Sequence, residues 1–174
     1  MAPITDPRTA LAAGRPALVW RRQVADTETP VAAALRLMEP GRGDFLLESV
    51  EGGAIRGRYS WIGLAPDLVF RASGNEAAIN RHWTTDRETW EPCAAPTLDA
   101  LRALVADCRC DVPAELPRAL AFLVGYFGYE TVGLVEPLPQ AVEDALGLPD
   151  MMFVRPTVLL VFDRLADEIG RAHV

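Results

Sequence analysis

The sequence contains no lysine: all 17 basic residues are arginine, against 24 acidic residues, which gives a net charge of −7. Nucleic-acid-binding proteins usually carry a basic surface, so this balance argues against that class. The longest uncharged apolar run, Ala119–Tyr129, is shorter than the roughly 20 residues that a helix needs to cross a bilayer. No basic segment followed by an apolar run marks a signal peptide at the start. We therefore expect a cytoplasmic protein that binds neither nucleic acid nor membranes.

Cysteine and histidine are scarce, with three and two residues respectively. An odd cysteine count and an isolated C-x-C at Cys108 and Cys110 argue against a disulfide framework. A closed zinc site needs about four N or S ligands, so we expect reduced structural thiols and no metal site. His82 is the one dependable histidine for a nucleophilic triad. Its place in a predicted alternating strand favours a surface or core histidine instead.

Phosphate-binding and acid–base motifs are also missing. The sequence has no G-x-G-x-x-G and no P-loop. The G-x-x-G at Gly125–Gly128 predicts a tight strand-to-helix turn in which bulky side chains would clash. Two acidic pairs, near residues 26 and 143, lie in polar surroundings that are typical of a solvated face. From the residues alone we assign no catalytic residue.

Half of the residues are hydrophobic, which is enough for one domain with a core. The hydrophobic pattern predicts an α+β fold, a largely antiparallel sheet with a few helices. Thr29 followed by Pro30 predicts a helix start, and the nearly apolar run 120–126 predicts a strand buried on both faces. Four strands between residues 45 and 83 are expected to form one antiparallel meander. The predicted strands are 17–24, 45–51, 58–64, 67–72, 77–83, 120–126, 151–155 and 157–163, and the helices are 31–38 and 97–107.

The strand 45–51 has polar groups on both faces. Phe45, Leu47 and Ser49 share one face, while Leu46 and Glu48 share the other. A strand over a plain core would keep polar groups off its inner face. Two interpretations stay open: a small ligand pocket with apolar walls and one hydroxyl, or an edge strand whose serine bonds to a neighbouring backbone.

Four segments in order resemble the N-terminal region of anthranilate synthase component I. They are FLLESVEGG (45–53), RGRYSWIGLAPDLVFRASG (56–74), LVGYFGYETVGLVEPLP (123–139) and LGLPDMMFVRPTVLLVFD (146–163). The resemblance implies a regulatory domain over 17–168, half of a sandwich-like architecture, preceded by an arm at 1–16. Related chorismate enzymes such as aminodeoxychorismate synthase component I usually match these segments less closely.

The resemblance implies a lyase of tryptophan biosynthesis that converts chorismate and ammonia, supplied from glutamine, to anthranilate and pyruvate. Its Mg2+ and chorismate would bind in a larger C-terminal domain outside this chain, so we expect no cofactor here and no activity of the chain alone. The implied partners are that catalytic domain, the glutaminase subunit (component II) and L-tryptophan as feedback inhibitor. The alternatives are a stand-alone amino-acid-binding module without catalysis, or the matching domain of aminodeoxychorismate synthase component I.

The same resemblance implies where tryptophan binds. Carried over by position, the LLES strand gives Ser49 as the residue that contacts the inhibitor, with Leu47 and Glu48 beside it. Tyr59 and Arg58, in the GRYS segment, are further candidates for the pocket wall. Because side chains alternate, Leu47 and Ser49 face the same way and Glu48 faces the other.

Two segments depart from the family pattern. Gly133 interrupts the stretch after GYET, where relatives commonly carry arginine, and lowers helix propensity by about 1 kcal/mol against alanine. Residues 169–174 (IGRAHV) do not continue the family pattern and can be back-translated into a common sequencing-adapter string. We therefore expect a non-native tail at 169–174 on a fragment of a longer enzyme.

Overall fold

A computed structural model of the chain describes residues 7–13, 17–24, 27–48, 58–110, 112, 116, 123–136, 146–163 and 168–173. Ten strands, three α-helices and one 3₁₀ helix lie in this part of the chain. In order they are α1 (Pro7–Ala12), β1 (Val19–Val24), α2 (Pro30–Leu37), β2 (Phe45–Glu48), β3 (Tyr59–Leu64), β4 (Leu68–Ser73), β5 (Glu76–Asn80), β6 (Glu91–Pro92), α3 (Thr97–Asp107), β7 (Val124–Phe127), the 3₁₀ helix (Tyr129–Leu134), β8 (Met151–Arg155), β9 (Val158–Asp163) and β10 (Glu168–His173).

The strands form two five-stranded sheets, in the orders β1-β10-β9-β3-β2 and β6-β5-β4-β8-β7. Every pairing is antiparallel. The chain divides into two compact units, the first made of Met1–Pro66, Cys110–Leu120 and Pro156–Val174, the second of Asp67–Arg109 and Ala121–Arg155. The predicted antiparallel α+β class is confirmed.

The single meander expected over residues 45–83 is wrong. β2 pairs with β3 in the first sheet and β4 pairs with β5 in the second, but β3 and β4 do not pair. Ala65 stands between them with a positive φ of 48°, followed by Pro66. A left-handed residue before a proline redirects the backbone, and hydrophobic alternation carries no information on which sheet the next strand joins.

Helix α2 covers one face of the first sheet. Thr29 caps it as predicted, because its Oγ1 accepts a hydrogen bond from the Ala32 N–H at 3.1 Å, and Pro30 occupies the first turn. The buried residues of this core are Ala33, Ala34, Ile62, Phe162 and Ile169. Alanine on the helix lets its backbone approach the sheet closely.

Helix α3 covers one face of the second sheet, and its start is tied to the β4–β5 turn. The Thr97 hydroxyl donates to the Gly74 carbonyl at 3.0 Å, and the Thr97 N–H donates to Asn75 Oδ1 at 3.1 Å. Gly74 has a φ of +52°, which favours glycine. The buried residues of this core are Leu68, Phe70, Ala72, Ala77, Ile79, Ala100, Leu101, Leu104, Cys108 and Met151.

The prediction that 120–126 is a strand buried on both faces is wrong where the structure describes it. β7 is an edge strand of the second sheet, and Gly125, Tyr126 and Phe127 are exposed. An apolar run alone does not distinguish a buried strand from an exposed one.

The close packing predicted for the G-x-x-G is confirmed. A Cβ on Gly125 would lie 1.9 Å from the Met152 carbonyl oxygen, and one on Gly128 would lie 2.8 Å from that of Asp150. The Gly128 N–H also donates to the Asp150 carbonyl at 2.5 Å. The two glycines therefore let β7 and its turn lie directly against the backbone of the neighbouring segment.

Two other predictions concern His82 and the last residues. His82 is exposed and lies beyond β5, which ends at Asn80; the His82 N–H donates to Asn80 Oδ1 at 2.8 Å, so the strand predicted through it is wrong. Residues 169–173 lie in β10, which pairs with both β1 and β9. The non-native origin of 169–174 stays a prediction. No helix in the described ranges is long and apolar enough to cross a membrane.

Candidate functional site

Four of the five predicted site residues lie on β2 and β3 or directly beside them, in the first sheet: Leu47, Glu48, Arg58 and Tyr59. Leu47 pairs with Trp61, and Tyr59 pairs with Asp163 of β9. Residues directly opposite in antiparallel strands share a face, as do alternate residues of one strand. Leu47, Tyr59, Trp61 and Asp163 therefore lie on one side of the sheet, which we call the Tyr59–Trp61 face.

The Tyr59–Trp61 face presents aromatic surface. The two ring centroids are 6.3 Å apart at an interplanar angle of 62°, an edge-to-face arrangement. Both residues are half-buried, and Leu47 beside them is 49% exposed. Val161, opposite Trp61 on the same face, is only 8% exposed, so the face is most open to solvent at Leu47.

Arg58 lies beside Tyr59 and Asp163, at one end of that face. Its Nε donates to Asp163 Oδ1 at 2.9 Å and its second terminal nitrogen donates to Oδ2 at 2.6 Å, a two-bond contact between guanidinium and carboxylate. The hydrogen bond to Asp163 raises the pKa of Arg58 above its ordinary value. The guanidinium carbon lies 4.9 Å from the centroid of the Tyr59 ring. The hydrogen-bonding edge of Arg58 is thus taken by Asp163, and its flat surface contacts Tyr59.

Of the other two predicted residues, Glu48 is described by the structure and Ser49 is not. Glu48 lies opposite Ser60, on the sheet face that α2 covers, and its side chain is exposed. Ser49, the principal candidate, lies outside the described residues. The predicted contact between Ser49 and a ligand therefore stays a prediction.

Sequence reasoning missed Trp61 and Asp163. Trp61 was available from alternation, because it stands two residues after Tyr59 and so shares its face. Asp163 was not, since it lies 105 residues beyond Arg58 and only the sheet register brings them together.

Asp44 fixes the start of β2. Its carboxylate is 1% exposed and accepts hydrogen bonds from Arg42 Nε and from the N–H groups of Glu39 and Ala65, at 2.9–3.0 Å. Burial alone would raise the pKa of Asp44, but these hydrogen bonds outweigh it and hold the pKa below its ordinary value. This cluster joins the turn after α2 to the end of β3, and so positions β2 beside β3.

The described residues of the second unit include a half-buried ion pair and two cysteines. Arg155 donates twice to Asp67, each time at 2.8 Å, and its pKa is raised by that contact. Burial raises the pKa of the Cys108 thiol, and also that of Cys93. A reactive cysteine has a lowered pKa, which is the opposite direction.

No group of three or more His, Cys, Asp or Glu side chains gathers among the described residues as metal ligands would.

No protein-family model matches the sequence. Curated proteins do match it: anthranilate synthase component 1 of Cereibacter sphaeroides is 45% identical over 157 residues, covering 90% of this chain and 31% of that protein. The same-named proteins of Mycolicibacterium smegmatis and Thermus thermophilus are 37% and 39% identical over 83% and 82% of this chain, and 27% and 29% of their own lengths.

A solved structure shares the fold. The crystal structure of anthranilate synthase component I from Streptococcus pneumoniae matches 84% of this chain and 29% of its own chain, with a TM-score of 0.51 at 23% identity. The chain thus spans about three tenths of the length of the proteins it matches. Over nine tenths of its own length, this chain is a homologue of anthranilate synthase component 1.

Proposed function

We propose that this chain is the tryptophan-binding regulatory part of an anthranilate synthase component 1. The whole enzyme would convert chorismate and ammonia to anthranilate and pyruvate in tryptophan biosynthesis. The identity of 45% over 90% of the chain supports the enzyme family. The observation that carries the regulatory role is the Tyr59–Trp61 face, which lies directly beside the LLES strand.

The chemistry of that face suits an aromatic amino acid. Aromatic pairs favour edge-to-face or offset contacts with centroids about 4.5–7 Å apart, and the pair Tyr59–Trp61 already shows such a contact at 6.3 Å. In the proposed complex the indole packs on Leu47 and Trp61, and Ser49 binds the polar end. Arg58 acts through Tyr59, whose ring it contacts while Asp163 holds its guanidinium.

Feedback inhibition requires that tryptophan bind two states of the enzyme unequally. Coupling between sites is typically about 1–3 kcal/mol, or roughly 5–150-fold in affinity. Chorismate and Mg2+ would bind in the part of the enzyme outside this chain, and a glutaminase subunit would supply ammonia. The chain alone would bind the inhibitor without turning over chorismate.

Isothermal titration of the chain with L-tryptophan tests the proposal. We expect binding that Ser49→Ala and Leu47→Ala weaken at least tenfold. Leu35→Ala is the matched control, because Leu35 is 83% exposed on α2, and it should leave the affinity unchanged. No binding of L-tryptophan at millimolar concentration, or equal affinity in all variants, would refute the regulatory role. Preference for another amino acid would favour a different binding module.

A further inference from the structure

An ion pair lies at the end of the Tyr59–Trp61 face where β3 begins. Arg58 directly precedes β3, and its guanidinium donates to both carboxylate oxygens of Asp163, at 2.9 and 2.6 Å. Both side chains reach solvent, Arg58 at 50% and Asp163 at 19% exposed. Their charges therefore act on any ligand that binds at this end of the face.

The proposed complex with tryptophan, on which this inference rests, places the charged groups of the ligand near that pair. Ser49, proposed to bind the polar end of the ligand, follows directly after Glu48, the last residue of β2. Glu48 pairs with Ser60, so the end of β2 lies beside the beginning of β3. Arg58 stands two residues before Ser60, at the same end. The carboxylate and ammonium groups of the ligand would therefore lie within the field of Arg58 and Asp163.

Asp163 changes what the guanidinium of Arg58 can bind. A guanidinium without a partner is a carboxylate-binding group, because it offers parallel N–H donors and a full positive charge. Asp163 already accepts two of those donors and balances that charge. We infer that Asp163 determines the specificity of the site: it favours the zwitterion of an aromatic amino acid over aromatic carboxylates that lack an ammonium group.

Such selectivity matters for the function proposed above. Chorismate and anthranilate, the substrate and product in that proposal, carry carboxylates and no ammonium group. An unpaired Arg58 would attract both of them to the inhibitor site. The neutral pair leaves the site to a ligand whose own charges balance, as those of tryptophan do at neutral pH.

Isothermal titration of the chain with two indole ligands of opposite charge tests the inference, with L-tryptophan as the neutral reference. At neutral pH indolepropionate is an anion and tryptamine is a cation, and each lacks one charged group of tryptophan. D163N should lower the Kd of indolepropionate and raise that of tryptamine, so that the ratio of the two shifts by about tenfold or more. R58Q should shift the same ratio in the opposite direction, and R58Q/D163N should return it close to the wild-type value.

The ratio of the two Kd values separates charge selection from a loss of structure. A variant that only disordered the face would weaken all ligands by one factor and leave the ratio unchanged. D99N is the matched control, because it removes the same charge from an exposed pair with Arg102 in the second unit and should keep the wild-type ratio. At 1 M salt, where the screening length is about 3 Å, the shift caused by D163N should shrink. An unchanged ratio in D163N and R58Q, or an equal shift in D99N, would overturn the inference.

Two negative results have different meanings. A wild-type chain that binds L-tryptophan, with a constant ratio in all variants, refutes only the role of Asp163. A wild-type chain that binds none of the three ligands refutes the regulatory role, and the role of Asp163 with it. R58Q carries the test, with the opposite sign, if D163N does not fold.

Discussion

Replacing Asp44 by asparagine should destabilise the first unit by about 3 kcal/mol. The carboxylate is 1% exposed and accepts from two backbone N–H groups and from Arg42. Asparagine keeps one acceptor oxygen but has an amide NH2 group in place of the other. That group cannot accept the hydrogen bonds that the second carboxylate oxygen of Asp44 accepts. Hydrogen bonds to charged groups contribute about 1.5–3 kcal/mol each. Two lost hydrogen bonds at the lower end of that range amount to about 3 kcal/mol. The lower end applies because Arg42 is 22% exposed and can still reach water.

The pH dependence of this effect has a definite sign. Because the folded protein holds the pKa of Asp44 below its ordinary value, the carboxylate stabilises the folded state fully above about pH 4, the usual aspartate pKa. That contribution disappears as the pH falls through the lowered pKa of the folded protein. The difference in unfolding free energy between wild type and Asp44→Asn should be constant from pH 5 to pH 8 and shrink at more acidic pH.

The loss of unfolding free energy in the first unit is measured by urea denaturation, with amide hydrogen exchange in β2 and β3 as the readout. Asp99→Asn is the matched control: it removes the same charge from a pair with Arg102 that is exposed on both sides, at 62% and 72%. Exposed ion pairs contribute about 0.2–1 kcal/mol. If Asp44→Asn destabilises no more than Asp99→Asn, the Asp44 cluster does not hold the sheet together as we infer.

Three further substitutions test packing. Gly125→Ala should destabilise the second unit by about 2–3 kcal/mol, since its Cβ would meet the Met152 carbonyl. Thermal unfolding measures this loss. In the same assay Gly133→Ala should be neutral or stabilising by up to about 1 kcal/mol, because no atom lies within 4 Å of the new Cβ. Ile169→Ala should destabilise the first unit by about 2–4 kcal/mol, because Ile169 is buried against α2. Chemical denaturation that leaves this variant as stable as wild type would mean that β10 does not complete the core.

Local signals in the sequence predicted local structure well. Thr29 before Pro30 marked the start of α2, and Gly125 with Gly128 marked a close backbone approach. These predictions succeeded because caps and glycines act over a few neighbouring residues. Alternation also correctly predicted that Leu47 and Glu48 lie on opposite faces of the sheet. Which residues of other strands lie beside them depends on the strand register.

Long-range pairing was not predictable from one sequence. Nothing in the pattern of residues 58–64 indicates that Asp163 lies beside Arg58, or that β4 leaves the sheet of β3. The apolar run at β7 was misjudged for the same reason, since exposure depends on what the rest of the fold places over a strand. The candidate site could therefore be placed on its strands, while Asp163 emerged only from the register of the sheet.

The order of strands in the first sheet has a consequence for synthesis. β1 pairs only with β10, and the residues that meet, such as Val19 and His173, are the first and last of the strands. At about 5–20 residues per second, roughly 8–30 s pass between their emergence from the ribosome. The residues of the second unit lie between them in the chain, so that unit leaves the exit tunnel before the five-stranded first sheet can be complete. Throughout that interval β1 is a nascent strand without its partner strand.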